Sequence, residues 1–196
     1  MNQPKKNSFK RGFKTWADKK SIEIRKDLGL NWNDALCAFD LISHLNIPLF
    51  VPQDFNELDP KHLDELLGNG KEHWSAATIP LKDNKCLIIH NPEHSSQRQQ
   101  SNLMHELAHV ICEHKVDSSI QESGLARMLR HHNQDQENEA IWFGGCLQLP
   151  REALIWALKK KMTNTEIAEY YNASEEMVRY RINITGVKKQ IGRWRN

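Results

Sequence analysis

The sequence predicts an α+β protein that is mostly helical, with a small antiparallel sheet beside one central helix and two short helices near the C-terminal end. Three observations support this fold class. Apolar residues recur at helical spacing over most of the chain, two short strand-like runs precede an amphipathic segment, and capping residues divide the last part into short helices. A chain of 196 residues is long enough for one domain with a real core.

The elements follow from apolar periodicity and from the residues that begin and end helices. Glycine and proline mark most of the ends, Gly186 among them, and Ser, Thr or Asp mark several of the beginnings. Ser95 or Ser96 caps the central helix, and Thr163-x-x-Glu166 is a predicted capping box. The predicted elements are a helix over 9–28, a helix over 33–47, an edge strand at 49–51, a helix over 59–68, a hairpin of strands 74–79 and 86–90, a helix over 96–114, a helix from 134 to before Pro150, a helix over 151–162 and a helix pair over 163–186.

The central amphipathic segment contains the motif HExxH as His-Glu-Leu-Ala-His, residues 105–109, and its predicted apolar stripe consists of Leu103, Leu107, Val110 and Ile111. Residues four apart on a helix lie one above the other, so His105 and His109 can direct two imidazoles at one metal ion. Glu106 lies about 100° further round the helix, where it can reach a water on that ion without binding the ion itself. This arrangement is typical of zinc peptidases, in which two neutral histidines bind Zn²⁺ and the glutamate accepts the proton of the water.

A peptidase zinc site needs a third protein ligand and one open position. A third histidine six residues after His109 is excluded, because Lys115 occupies that position. The residues then favour a carboxylate from a later helix, and Asp135, Glu137 and Glu139 remain as alternatives. Glu137 and Glu139 are about 200° apart on a helix, so only one of them can face the ion.

The sequence around and after the motif resembles the ImmA/IrrE family of metallo-endopeptidases. The resemblance covers roughly residues 9–187, and the segments that carry it are Arg98–His109, Glu137–Phe143, Leu147–Pro150, Trp74–Thr78 and Asn91–Ser95. It implies a zincin-like domain of the gluzincin type, with Glu137 as the third ligand and Glu139 as the second choice. The sequence departs from the family at Gly144-Gly145, where Ala-Ala is usual, and two glycines weaken a helix.

The resemblance also implies a biological role. Members of the family are cytoplasmic proteases that cut a helix-turn-helix repressor, often encoded next door, in stress responses and mobile elements. We therefore expect a protein substrate of this kind. Composition and spacing alone do not indicate that substrate.

Charge is distributed unevenly along the chain. Residues 1–26 carry a net charge of +7, residues 27–150 carry −10 and residues 151–196 carry +5. Basic ends can contact nucleic acid, but the second helix of the C-terminal pair begins Ser174-Glu175-Glu176, and these carboxylates would repel a DNA backbone. Direct nucleic-acid binding is therefore not expected, and we predict that the pair packs on the catalytic core.

The remaining features concern compartment and domain boundaries. The four cysteines form no C-x-x-C pair, and the sequence has neither a membrane-spanning run nor an apolar segment typical of secretion, so we expect a cytoplasmic protein. The predicted divisions are a disordered tail at 1–8, a zincin-like domain at 9–162, a helix-turn-helix-like pair at 163–187 and a basic tail at 188–196.

One alternative function belongs to a different class. The chain can be a non-catalytic regulator that contains a structural metal and binds nucleic acid or a repressor. Glu106 argues against this alternative, because a structural metal site has no need of a carboxylate beside its ligands.

Overall fold

The computed structural model describes residues 9–55, 61, 64–83, 85–114 and 133–193, and it confirms the predicted α+β fold. The eight helices of the described residues are α1 (Phe13–Asp27), α2 (Ala38–His44), α3 (Ser96–Ile111), α4 (Gln134–Gln148), α5 (Arg151–Lys159), α6 (Asn164–Tyr170), α7 (Glu175–Thr185) and α8 (Val187–Arg193). The three strands are β1 (Leu49–Phe50), β2 (Ala76–Pro80) and β3 (Cys86–His90), and short helical turns lie at Pro52–Asp54, Glu65–Asn69 and Lys71–His73.

The sheet has the strand order β1-β3-β2. The predicted hairpin is confirmed, because β2 and β3 pair antiparallel with Thr78 opposite Ile88. The predicted strand at 49–51 also forms at an edge, but it pairs in parallel with β3, so the sheet is mixed and not wholly antiparallel. Pro80 ends β2, which is compatible with the position of this strand at the other edge.

Helices α3 and α4 form the centre of the molecule and pack against each other more extensively than any other two described elements. The buried face of α3 carries Leu103, Met104, Leu107 and Ala108, all of which are inaccessible to solvent. The predicted apolar stripe named Leu103 and Leu107 correctly. Val110 and Ile111 are only half-buried.

Helix α2 is shorter than predicted, because the chain from residue 33 to residue 37 is not helical. A buried side chain explains this difference. The amide of Gln100 donates to the carbonyl of Leu36 at 2.6 Å and accepts from the backbone N–H of Ala38 at 3.0 Å. These contacts hold the chain in a non-helical path until α2 begins. The beginning of the predicted helix at 59–68 and the polar segment 116–132 lie outside the described residues.

The C-terminal helices share a second apolar core, which is formed with α5. The predicted capping box is present, since the backbone N–H of Thr163 donates to Glu166 at 2.7 Å and the Thr163 hydroxyl accepts from the backbone N–H of Glu166 at 3.2 Å. Residues 187–193, which we assigned mainly to a basic tail, form α8. The buried side chains of the second core are Leu149, Ala153, Leu154, Ala157, Ile167, Ala168, Tyr171, Ala173, Val178, Ile182 and Val187.

Two buried arginines satisfy carbonyl groups at the carboxyl end of α4. Arg25 donates to the carbonyl of Leu147 at 2.7 Å, and Arg181 donates to the carbonyl of Leu149 at 3.0 Å. Both guanidinium groups are fully buried, and burial lowers the pKa of Arg25 to about 10. Cations at this end of a helix also interact favourably with its dipole. Arg181 therefore joins α7 to α4 and is not available at the surface.

The two glycines that depart from the resembling family lie where α4 approaches its neighbours most closely. A Cβ atom at Gly144 would lie 3.0 Å from the carbonyl oxygen of Met104 and 3.2 Å from the Cα of His105. A Cβ atom at Gly145 would lie 2.9 Å from the Cδ of Arg181. The absence of a side chain at Gly144 thus lets α4 lie directly on the backbone of α3.

We expect Gly144→Ala to destabilise the fold although alanine is the better helix former. The added methyl meets the backbone of a buried helix, and such overpacking costs about 1–3 kcal/mol, whereas the gain in helix propensity is about 1 kcal/mol. The control is Gly192→Ala in α8, where a Cβ has open space. Chemical denaturation of both variants measures the effect. Equal stability changes would contradict a close approach at Gly144.

Candidate metal centre

Three side chains from two helices converge on one point. His105 and His109 lie one turn apart on α3, and their Nε2 atoms are 3.1 Å apart. The carboxylate of Glu137, in the first turn of α4, lies 3.4 Å from Nε2 of His105 and 3.2 Å from Nε2 of His109. Glu137 precedes Gly144 by seven residues, or about two turns, so it lies on the face of α4 that approaches α3.

The distances between these three side chains fit a single ion. Two ligand atoms that each lie about 2.1 Å from a tetrahedral zinc ion are separated by about 3.4 Å. The two Nε2 atoms are 3.1 Å apart, Oε2 of Glu137 lies 3.4 Å from Nε2 of His105, and Oε1 of Glu137 lies 3.2 Å from Nε2 of His109. One ligand atom from each residue lies within 4.8 Å of the other two, so His105, His109 and Glu137 can hold one metal ion, with two imidazoles and one carboxylate as ligands.

The close approach of these groups changes their proton affinities. Burial by itself would raise the pKa of Glu137, but hydrogen bonds from His105 and His109 outweigh it and hold that pKa well below its usual range. Burial would likewise lower the pKa of His105, but the hydrogen bond to Glu137 and the charge of Glu106 raise it. The site thus keeps Glu137 ionised, which is the form that binds a cation.

Glu106 lies beside this group and is held by a residue that the sequence did not single out. The hydroxyl of Thr78, on β2, donates to Oε2 of Glu106 at 2.6 Å. This contact joins the edge strand of the sheet to α3. One hydroxyl donates a hydrogen bond to one oxygen only. The second carboxylate oxygen of Glu106 is therefore not used by Thr78 and can accept a proton from a water. Strand alternation assigns Thr78 to one face of β2, but the residue that Thr78 meets depends on how β2 packs on α3.

Glu139, the second choice for the third ligand, has a different partner. Its carboxylate lies 3.2 Å from Nε2 of His114, and Nδ1 of His114 lies 3.0 Å from Nδ1 of His109. Burial lowers the pKa of His114, although its hydrogen bond to Glu139 acts in the opposite direction. Glu139 therefore contacts His114, which meets the ring nitrogen of His109 that faces away from Glu137.

The other candidates from the sequence lie elsewhere or outside the described residues. Asp135 is exposed in the first turn of α4 and does not belong to the three-ligand group. Histidines outside the motif are also chemically able to stabilise an oxyanion. His90 lies edge-on to Phe39, and His94 lies 3.1 Å from the carbonyl of Lys71. Residues 131 and 132 are not described.

The three donor groups by themselves define a class of metal site. Two imidazoles one turn apart on a helix and a carboxylate from a later helix are the ligands of metallopeptidases of the His₂Glu type. Comparison with known families then matches residues 64–183 to the peptidase family M78, described as the IrrE N-terminal-like domain. This match spans more than half of the chain, and the chain belongs to the ImmA/IrrE family of metallopeptidases.

Family membership supports peptidase activity and implies a metal cofactor. No protein of curated function shows a significant match to the chain. Among the described residues, no helix is long and apolar enough to cross a membrane.

We expect His105→Ala and Glu137→Ala each to lose the metal ion, because two remaining ligands are too few for a stable site. The wild-type protein should keep about one ion per chain after dialysis, and each variant close to none. Elemental analysis measures this ratio. Asp135→Ala is the matched control on the same turn of α4 and should keep its ion. Full occupancy in Glu137→Ala would instead assign the third ligand to Glu139 or Asp135.

Proposed function

We propose that this chain is a cytoplasmic zinc-dependent endopeptidase that cuts a helix-turn-helix transcriptional repressor. The observation that carries the proposal is the convergence of His105, His109 and Glu137 beside Glu106, in a chain that belongs to a metallopeptidase family. Peptidase activity follows from the family, and the identity of the metal and of the substrate is our inference.

The donor set favours zinc. Two imidazole nitrogens and one carboxylate oxygen, at the separations found here, suit a borderline-soft ion that accepts tetrahedral coordination. When bound, such an ion polarises the scissile carbonyl and lowers the pKa of the attacking water towards about 7. His105, His109 and Glu137 hold the ion in this proposal and take no part in proton transfer.

Glu106 is the proposed general base. It takes the proton of the attacking water and then delivers that proton to the leaving amine. Thr78 supports this role, because its hydroxyl fixes one oxygen of Glu106 and leaves the other oxygen to meet the water. Thr78 is a positioning residue, since it acts through Glu106.

The outer edge of β2 is the proposed binding surface for the peptide. Within the described residues, β2 pairs with β3 on one side and with no strand on the other. An extended peptide can add to such an edge through backbone hydrogen bonds. Because Thr78 belongs to β2 and contacts Glu106, a peptide on this edge would lie next to the general base.

The substrate class rests on the resemblance to the ImmA/IrrE family. Members of that family act on helix-turn-helix repressors, and the natural first substrate to test is a repressor encoded beside this chain. An extended segment of the repressor would have to leave its helices to lie along β2, so an exposed linker is the expected place of cleavage.

We expect Glu106→Gln to bind zinc normally and to fail in cleavage. Glutamine keeps the size and shape of the side chain but cannot accept the proton of the water. Loss of a positioned general base typically costs about 10²–10⁴-fold in rate. Intact mass spectrometry of the repressor over time, beside metal analysis of the enzyme, measures both properties.

The matched control for this experiment is Glu93→Gln, which removes an exposed carboxylate in the turn before α3. It should cleave like the wild type. Equal cleavage by wild type and Glu106→Gln would exclude Glu106 as the base. Absence of cleavage by the wild type would reject the repressor as substrate.

We expect Thr78→Val to slow turnover by roughly tenfold, the value of one hydrogen bond to a charged group. Valine matches the shape of threonine but donates no proton, so zinc content and the unfolding temperature should not change. Thr78→Ser restores the donor and should restore kcat. A change in KM alone, or no recovery with serine, would contradict a role in positioning Glu106.

A further inference from the structure

The imidazole of His109 is in contact with a second imidazole on the side away from the three ligands. His114 lies with its Nδ1 atom 3.0 Å from Nδ1 of His109, and its Nε2 atom 3.2 Å from a carboxylate oxygen of Glu139. The side chains of His114 and Glu139 are only 6% and 7% exposed. The three groups therefore form a buried line from Glu139 through His114 to His109.

The end of α3 explains why His114 turns back onto His109. Glu113 has a left-handed backbone with φ 53°. The N–H of Glu113 donates to the carbonyl of Val110, and the N–H of His114 donates to the carbonyl of His109, both at 3.0 Å. This is the Schellman pattern, in which the residue two places beyond the helix cap packs on the residue three places before it. Here those two residues are His114 and His109.

The positions of the hydrogen atoms follow from these contacts. A carboxylate only accepts hydrogen bonds, so the proton between Glu139 and His114 belongs to Nε2 of His114. In a neutral imidazole the other nitrogen, Nδ1, then carries a lone pair and accepts from Nδ1–H of His109. This leaves the lone pair of His109 on Nε2, the atom that faces Glu137 and His105. This assignment satisfies both contacts of His114 and leaves Nε2 of His109 able to bind a metal ion.

We propose that Glu139 and His114 are positioning residues that fix His109 in the tautomer with a lone pair on Nε2 and increase the affinity of the site for zinc. The inference rests on the proposed metal site, but not on the proposed substrate. A partner on the remote nitrogen of a metal-binding histidine sets the orientation and basicity of the ring. In this chain the partner is another histidine, and the carboxylate acts through it.

Zinc affinity, measured by competition with a chromogenic chelator, tests this proposal without any substrate. We expect His114→Phe, which keeps an aromatic ring at this position but accepts no hydrogen bond, to weaken zinc binding by about 10–100-fold. Glu139→Gln keeps an acceptor for His114 but removes the charge, and should weaken binding less. Glu152→Gln is the control, because Glu152 is exposed in the first turn of α5, and should bind zinc like the wild type.

The double variant separates a connected line from two independent contributions. If Glu139 acts only through His114, then His114→Phe with Glu139→Gln should bind zinc as weakly as His114→Phe alone. A double variant whose fold-loss of zinc affinity equals the product of the two single fold-losses would overturn the proposal.

If His114→Phe fails to fold, as judged by circular dichroism of the metal-free protein, the comparison of Glu139→Gln with Glu152→Gln decides the question. Equal affinities in that pair would reject a role for Glu139.

A spectroscopic measurement tests the hydrogen bond itself. In the zinc-loaded protein labelled with ¹⁵N, we expect a slowly exchanging proton on Nδ1 of His109 and a scalar coupling between the two Nδ1 nuclei of His109 and His114. Both signals should disappear in His114→Phe. A proton on Nδ1 of His114 in the wild type would overturn the assignment.

The zinc content of two variants tests whether Glu139 is itself a ligand. Loss of all zinc in Glu139→Gln, together with retention of zinc in Glu137→Ala, would show that it is and would overturn the positioning role.

Discussion

The packing of α4 on the backbone of α3 is the contact on which the candidate metal centre depends. Helix α3 supplies two imidazoles by its own geometry, but the carboxylate comes from a helix that begins after a long intervening segment. Gly144 allows the two backbones to approach, since a Cβ atom there would lie 3.0 Å from the carbonyl oxygen of Met104. Glu137, two turns earlier on α4, then meets His105 and His109 at 3.4 and 3.2 Å.

Two buried arginines hold the carboxyl end of α4. Arg25 from α1 and Arg181 from α7 each donate to a carbonyl in this part of the chain, at 2.7 and 3.0 Å. The last carbonyl groups of a helix have no partner within it, so buried guanidinium groups both satisfy them and fix the helix against two neighbours. The C-terminal helices thus help to orient Glu137, although they lie far from it in sequence.

The polar groups around His109 and Glu106 divide into three functions in our proposals. Glu137 and the two histidines hold the ion, Thr78 positions the base, and Glu139 with His114 positions a ligand. Glu137 and Glu139 are only two residues apart, yet Glu137 meets His109 directly whereas Glu139 meets His114, because the two lie about 200° apart on the helix. One helical turn can therefore supply both a ligand and the support of another ligand.

The sequence alone determined the elements and the chemistry of the central helix. Apolar periodicity, the caps at Ser95 and Thr163 and the glycine at 186 gave most helices close to their observed bounds, and the i, i+4 spacing of His105 and His109 required no tertiary information. These features are local, since they depend on residues within one or two turns of each other.

Tertiary structure decided what depends on contacts between distant residues. The parallel pairing of β1, the late start of α2 beside Gln100, and the partners of Thr78 and His114 have no local signal. From the residues alone, Asp135, Glu137 and Glu139 were all possible ligands, and the family resemblance favoured Glu137. The approach of α4 to α3 brings Glu137 to the histidines and directs Glu139 to His114, because the rotation of a helix about its axis is set by what it packs against.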